Sequence, residues 1–166
     1  MALTHLSDQL TNAHLRPAVA PHSARELHGV KFSVVLPVTL AAGELIGLAQ
    51  LPPYCIPVEA HIYVSDVDTN GTPTMVWSAG VLNIATTGLV TGSKLIDASI
   101  IGQAAGFQRS NVHNGIFLPA TWLAEAACPA LHLPKTFAAL IDTVAATKAA
   151  GNMYGYLYYR ASDQKS

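Results

Sequence analysis

From Phe32 onward the chain is written in a two-residue period. Phe32, Val34, Leu36, Val38 and Leu40 alternate with Ser33, Val35, Pro37 and Thr39, and Val58, Ala60, Ile62 and Val64 alternate with Glu59, His61, Tyr63 and Ser65. This is the pattern of half-buried strands, and no sustained helical period of comparable length competes with it. Pro37 lacks an amide proton, which places its strand at a sheet edge or a bulge. Ala42-Gly43-Glu44 reads as a turn, Leu45–Leu51 as a strand stopped by Pro52-Pro53, and Asp66-Val67-Asp68-Thr69-Asn70-Gly71 as a strong turn signal. Thr74–Asn83 is a further strand with Met75, Trp77, Ala79 and Val81 on one side.

The middle is punctuated by Gly88, Gly92, Gly102 and Gly106, with Leu95–Ser99 as strand or short helix and Gly115–Leu118 as a short strand. Pro119 and Pro129 confine the helical propensity of Ala120–Ala127 to about two turns. Thr136–Ala145 and Met153–Ala161 flank a Gly151-Asn152 turn and read as a terminal hairpin, with Tyr154, Tyr156 and Tyr158 opposite Gly155, Leu157 and Tyr159. About eight strands at short spacing predict an all-β antiparallel sandwich or jelly roll. The absence of strand–helix alternation disfavours Rossmann and TIM folds. There is no internal repeat.

The first 30 residues differ from this body, residues 31–166. They hold four of the seven histidines, His5, His14, His22 and His28, together with Pro17 and Pro21. They read as an extended N-terminal arm, with one short helical stretch over Ser7–Leu15 capped by Ser7 or Asp8. The histidines are too scattered for one helical metal face, though a pH-sensitive contact suits a side chain titrating near ~6.5.

Composition narrows the function classes. Of 166 residues, 51% are hydrophobic and 11% charged, and the formal net charge is −1. The usual charged share is about 25%. A disordered chain is excluded, and a phosphate-gripping nucleic-acid binder would carry a basic excess. So few charges point to a surface covered by other protein, with a neutral Thr- and Ala-rich monomer as the alternative. The opening MALTHLSDQL has neither a basic nor an apolar targeting region, and no stretch approaches the ~18 uninterrupted apolar residues of a membrane helix. Cys55 and Cys128 define neither a disulfide framework nor a metal site, and read as buried free thiols.

Few residues offer chemistry. Asp66, Asp68 and Asn70, followed by Gly71, match the first half of a calcium loop, but Trp77 stands where the bidentate Glu belongs. The other reading is a hairpin turn in which Asp and Asn bond their own backbone. Asp66-x-Asp68 also resembles the nucleophile loop of haloacid-dehalogenase-type phosphohydrolases, which need a parallel α/β sheet that this pattern does not build. No nucleophile elbow is present, and Cys128 with His113 or His132 and Asn114 lacks an activating setting. Trp77 and Trp122 read as core anchors. No catalytic residue, metal or cofactor is expected.

The row Tyr154, Tyr156, Tyr158 with Arg160 has two readings: one face of a strand packed on its own sheet, or a surface turned to another subunit or a glycan. With His5, His14, Arg16, His22 and Arg25 of the arm, these residues are the interface candidates.

The layout as a whole resembles small virion structural proteins of tailed bacteriophages, especially capsid decoration (cement) proteins. The residues carrying it are Leu40-Ala41-Ala42-Gly43-Glu44-Leu45-Ile46 into Leu51-Pro52, strand 58–65 with its Asp66–Thr72 turn, Ser78–Leu82, and Ala149–Asn152 before Tyr156–Arg160. The arm and the Ala/Cys/Pro segment near 124–134 depart from that layout. The resemblance implies a non-enzymatic protein, made in the host cytoplasm and placed on the capsid surface of the virion. Its implied partners are copies of itself, as a homotrimer, and the major capsid protein, with no direct nucleic-acid or membrane contact. A tail or fibre-base component, a carbohydrate-binding β-sandwich module and a small hydrolase are the alternatives.

Overall fold

The structure, a computed structural model, describes residues 3–12, 26–110 and 126–162. Among them the strands are β1 (His5–Leu6), β2 (His28–Leu36), β3 (Leu45–Leu51), β4 (Cys55–Val64), β5 (Val76–Val81), β6 (Ile96–Ser99), β7 (Gly106–Arg109), β8 (Lys135–Thr143) and β9 (Gly151–Ala161), with one short helix α1 (Asp8–Thr11). They form two sheets, ordered β1-β3-β8-β5-β6 and β2-β9-β4-β7. Every pairing is antiparallel except β1 with β3. The fold is an all-β sandwich.

Inward-facing alternates of both sheets make the core. Phe32, Val34 and Leu36 of β2, Ile62 and Val64 of β4 and Met153, Leu157 and Tyr159 of β9 meet Ile46, Leu48, Trp77, Ala79, Phe137 and Ile141 of the other sheet. Trp77 is fully buried and its indole N–H donates to the Ile101 carbonyl, so the largest core side chain leaves no polar atom unpaired.

The sheets differ in how their outer faces are treated. The five-stranded sheet is buried on both sides: Leu45, Leu82 and Ala138 form a second cluster beneath Leu3, Leu89 and Leu140. That explains why β3, β5 and β8 read as nearly continuous apolar runs rather than clean alternations. Small residues let the covering chain approach; a Cβ on Gly80 would come within 3.0 Å of Lys94 Cα.

Residues 3–12 are built into this body. Thr4 N–H donates to Leu45 O at 3.0 Å and Ser7 N–H to Gly47 O at 2.8 Å, which lays the segment beside β3. Ser7 caps α1, accepting from Leu10 N–H at 3.2 Å, while its hydroxyl donates to the Leu48 carbonyl at the β3 bulge. Gln9 Oε1 accepts from Gln50 N–H of β3 at 2.8 Å, and on the other sheet Asp8 Oδ1 accepts from Ser33 N–H of β2 at 2.6 Å. The helix thus clasps β3 and β2 together, and of the two caps the sequence offers, Ser7 and Asp8, Ser7 is the one used.

Three sequence expectations are corrected. The strand placed over residues 32–40 runs instead over His28–Leu36 and stops before Pro37, which cannot donate to a ladder; β2 is an edge strand, as that proline requires. The terminal hairpin does not form: β8 pairs with β3 and β5, β9 with β2 and β4, so residues 144–150 carry the chain from one sheet to the other. Likewise the Asp66–Gly71 turn joins β4 and β5 across the sandwich instead of closing a hairpin. Gly115–Leu118, most of the Ala120–Ala127 stretch and Trp122 lie outside the described residues.

These two crossings are stapled by one side chain. Asp68 is buried and accepts from Thr74 N–H at 2.6 Å and Met75 N–H at 3.0 Å on its own crossing, and from Thr147 N–H at 3.1 Å on the other. Burial pushes its carboxyl up, but the amides of Thr147, Thr74, Ala146 and Met75 outweigh that and hold it at about 2. The ionised carboxylate therefore stabilises the fold above its ordinary value of 3.8, and that contribution is lost as pH falls from 3.8 through about 2. Asp68→Asn is expected to cost about 2 kcal/mol by leaving buried amide donors poorly matched, and to flatten the acid end of a stability–pH curve measured by urea unfolding.

In the second sheet, β9 runs so close to β4 that a Cβ on Gly155 would lie 1.9 Å from the His61 carbonyl oxygen. Gly155→Ala must push the two strands apart, and a loss of about 3 kcal/mol is expected from the urea midpoint; an unchanged midpoint would mean that the strands have slack.

Candidate functional site

The outer face of the four-stranded sheet is assembled by register. Antiparallel partners share a face, so the pairings set side chains in rows across the strands. Ser33, Tyr154, Tyr63 and Phe107 form one row, Lys31, Tyr156, His61 and Arg109 the next, and Gly29, Tyr158 and Glu59 a third. Period-two alternation sends Met153, Gly155, Leu157 and Tyr159 to the core, which leaves the intervening tyrosines outside. Phe107 is 56% exposed, Tyr154 42% and Tyr156 46%, high for side chains of this size.

The rings are packed on one another. Tyr63 and Tyr154 stack with centroids 4.7 Å apart, and Tyr156 and Tyr158 lie nearly parallel at 6.4 Å. His61 meets Tyr158 edge-on at 5.3 Å and Phe107 at 5.7 Å. Glu59 Oε1 bonds His61 Nε2 at 2.9 Å and accepts from Arg109 Nη2 at 2.7 Å. The Arg109 guanidinium, then His61, hold the Glu59 carboxyl below its ordinary value. The result is a preordered aromatic surface edged by cations. It fits binding by contact area.

Of the interface candidates, Tyr154, Tyr156, Tyr158 and Arg160 share this face, and Arg160 Nη1 donates to the Ala161 carbonyl at 3.1 Å. His5 sits elsewhere, on β1 of the other sheet, 3.7 Å from Glu44. His14, Arg16, His22 and Arg25 lie outside the described residues. The sequence reading did not single out Lys31, Glu59, Tyr63, Phe107 or Arg109. Glu59 and Tyr63 carried a signal, as polar alternates of an apolar strand; β7 was too short to be seen as a strand.

The other chemical candidates are structural. Asp66 is exposed, Asp68 is spent on the crossings, and Asn70 accepts from Thr72 N–H at 2.8 Å and donates to Thr147 Oγ1 at 2.9 Å. A cation at Asp68 would have to displace backbone amides. No cluster of three or more His, Cys, Asp or Glu able to hold a metal occurs among the described residues. Cys55 and Cys128 are buried free thiols. Burial pushes the Cys55 thiol up, against the pull of Lys135. Lys135 itself is buried, with its ammonium donating to the Leu131 and Leu133 carbonyls at 3.1 and 3.3 Å. That burial pushes its own value down.

Neither a family model nor a curated protein matches the chain. Two solved structures do. A chain in the capsid of Ralstonia phage GP4 is 25% identical, superposes with a TM-score of 0.69, and is covered over 94% of its length by 91% of this chain. A chain in the capsid asymmetric unit of cyanophage Pam1 is 18% identical with a TM-score of 0.60, covering 89% of this chain and 95% of that one, and shares the fold.

Proposed function

We propose that this protein is a non-enzymatic structural component of a phage virion that decorates the capsid and stabilises it by bridging major capsid subunits. The observation that carries this reading is end-to-end likeness to chains taken from two phage capsids. Because each overlap spans nearly all of both chains, the matched chains are single sandwiches of about this size. That favours a small companion of the shell over the subunit that builds it. The outer aromatic face supports the same reading, since a covered surface explains both its exposure here and the low charge of the whole chain.

A shell under internal pressure gains from molecules that span its seams, and many equivalent copies turn modest contacts into firm attachment. Self-association as a trimer would raise that valency. Segment 1–30 adds docking contacts through His14, Arg16, His22 and Arg25, while residues 3–12 serve the body. Capsids of the encoding phage prepared without this chain are expected to lose their DNA at lower temperature, and adding the purified protein back should restore them; equal heat resistance with and without it would end the decoration reading. Replacing His14, Arg16, His22 and Arg25 together by serine leaves the clasp intact and is expected to weaken shell binding about tenfold, one modest contact's worth. Unchanged occupancy by this variant would remove the segment from docking.

A further inference from the structure

The two sheets present opposite surfaces. The five-stranded sheet has chain laid over its outside, with Leu3 and Leu89 packed on Leu45, Leu82 and Ala138 beside Leu140 of β8. The four-stranded sheet carries its largest side chains in the open. Its outer face also concentrates positive charge. Lys31, Arg109 and Arg160 stand on it with Glu59 as the one carboxylate among the residues of its four strands, in a chain whose formal net charge is −1. The rest of the chain is therefore net negative.

We propose that the outer face of β2-β9-β4-β7 is the surface by which this protein docks, and that its occupant is an acidic patch on a shell protein, whose carboxylates meet Lys31, Arg109 and Arg160 around the tyrosine row. This rests on the virion reading above and adds to it the docking face and the chemistry of the partner. Interfaces of this kind centre on aromatic and arginine anchors ringed by polar groups, and complementary charge fixes orientation and speeds encounter.

Other occupants fit less well. A second copy meeting the same face across a twofold axis would oppose cation to cation. A nucleic-acid strand or a sugar would need free ring faces. Here Tyr63 stacks on Tyr154, Tyr156 lies along Tyr158, and His61 is wedged between Phe107 and Tyr158. The ring edges, the phenol hydroxyls and the exposed ammonium of Lys31 are what a folded protein surface can use.

The test uses the full-length protein and empty shells of the phage that encodes it, stripped of this chain. Lys31→Glu and Tyr156→Ser alter register partners on neighbouring strands, and Ile84→Ser changes an exposed apolar residue outside this sheet. Urea midpoints identify any variant that fails to fold; Lys31→Glu, on an exposed edge position, carries the test if Tyr156→Ser does not. The expected result is a loss of about 30-fold in shell affinity for each face variant, no loss for Ile84→Ser, and weaker wild-type binding as salt rises. Wild-type binding that the face variants retain in full overturns the docking face and leaves the decoration reading standing. Failure of the wild type to bind shells at all overturns that reading and this inference with it. A fluorescent oligothymidine, or self-association in solution, that both face variants abolish while shell binding persists reassigns the face to a nucleic acid or a second copy and overturns the acidic partner.

Discussion

The placement of β9 between β2 and β4 governs most of what this molecule presents to its surroundings. It is the longest strand, it is paired on both sides, and Gly155 lets its backbone come against the His61 carbonyl with no side chain between. Slipping the register by one residue would bring the tyrosines into the core and put Met153, Leu157 and Tyr159 outside. One pairing thus fixes both the packing of the sandwich and the composition of its open face.

The opposite sheet solves a different problem. Strands with apolar residues on both faces need a cover, and the chain supplies it from its own N-terminal residues and from the stretch between β5 and β6. The polar work is done locally: Ser7, Asp8 and Gln9 bind β3 and β2, and Asp68 ties the two crossings. Each is a short side chain accepting from or donating to backbone, the commonest way buried backbone groups are satisfied outside ladders.

Local pattern made much of this legible. Leu45–Leu51 was bounded by its own Pro-Pro stop, and Ser7 announced a helix start. What pattern could not supply was partnership. β8 and β9 are neighbours in sequence joined by residues 144–150, yet each is paired on both sides within a different sheet, and adjacency alone reads as a hairpin. The tyrosine row was visible as a stripe on one strand. The surface it belongs to was not, because Lys31, Tyr63, Phe107 and Arg109 come from three other strands and join it only through register. Lys135 is a further case: a lysine in a strand predicts exposure, whereas two carbonyls just upstream receive its ammonium inside the protein. The capsid resemblance came from layout, and the likeness to phage capsid chains agrees with it at the level of the fold.

Any β-sandwich faces one hazard at its margins, where unpaired strand amides can recruit another molecule's strand and zip two molecules into one continuous sheet. β2 is such a margin, nine residues long. The carboxylate of Asp8 occupies the Ser33 amide there, and the helix that carries it lies over the adjoining stretch. The clasp that closes the sandwich therefore also guards this margin against recruiting a foreign strand.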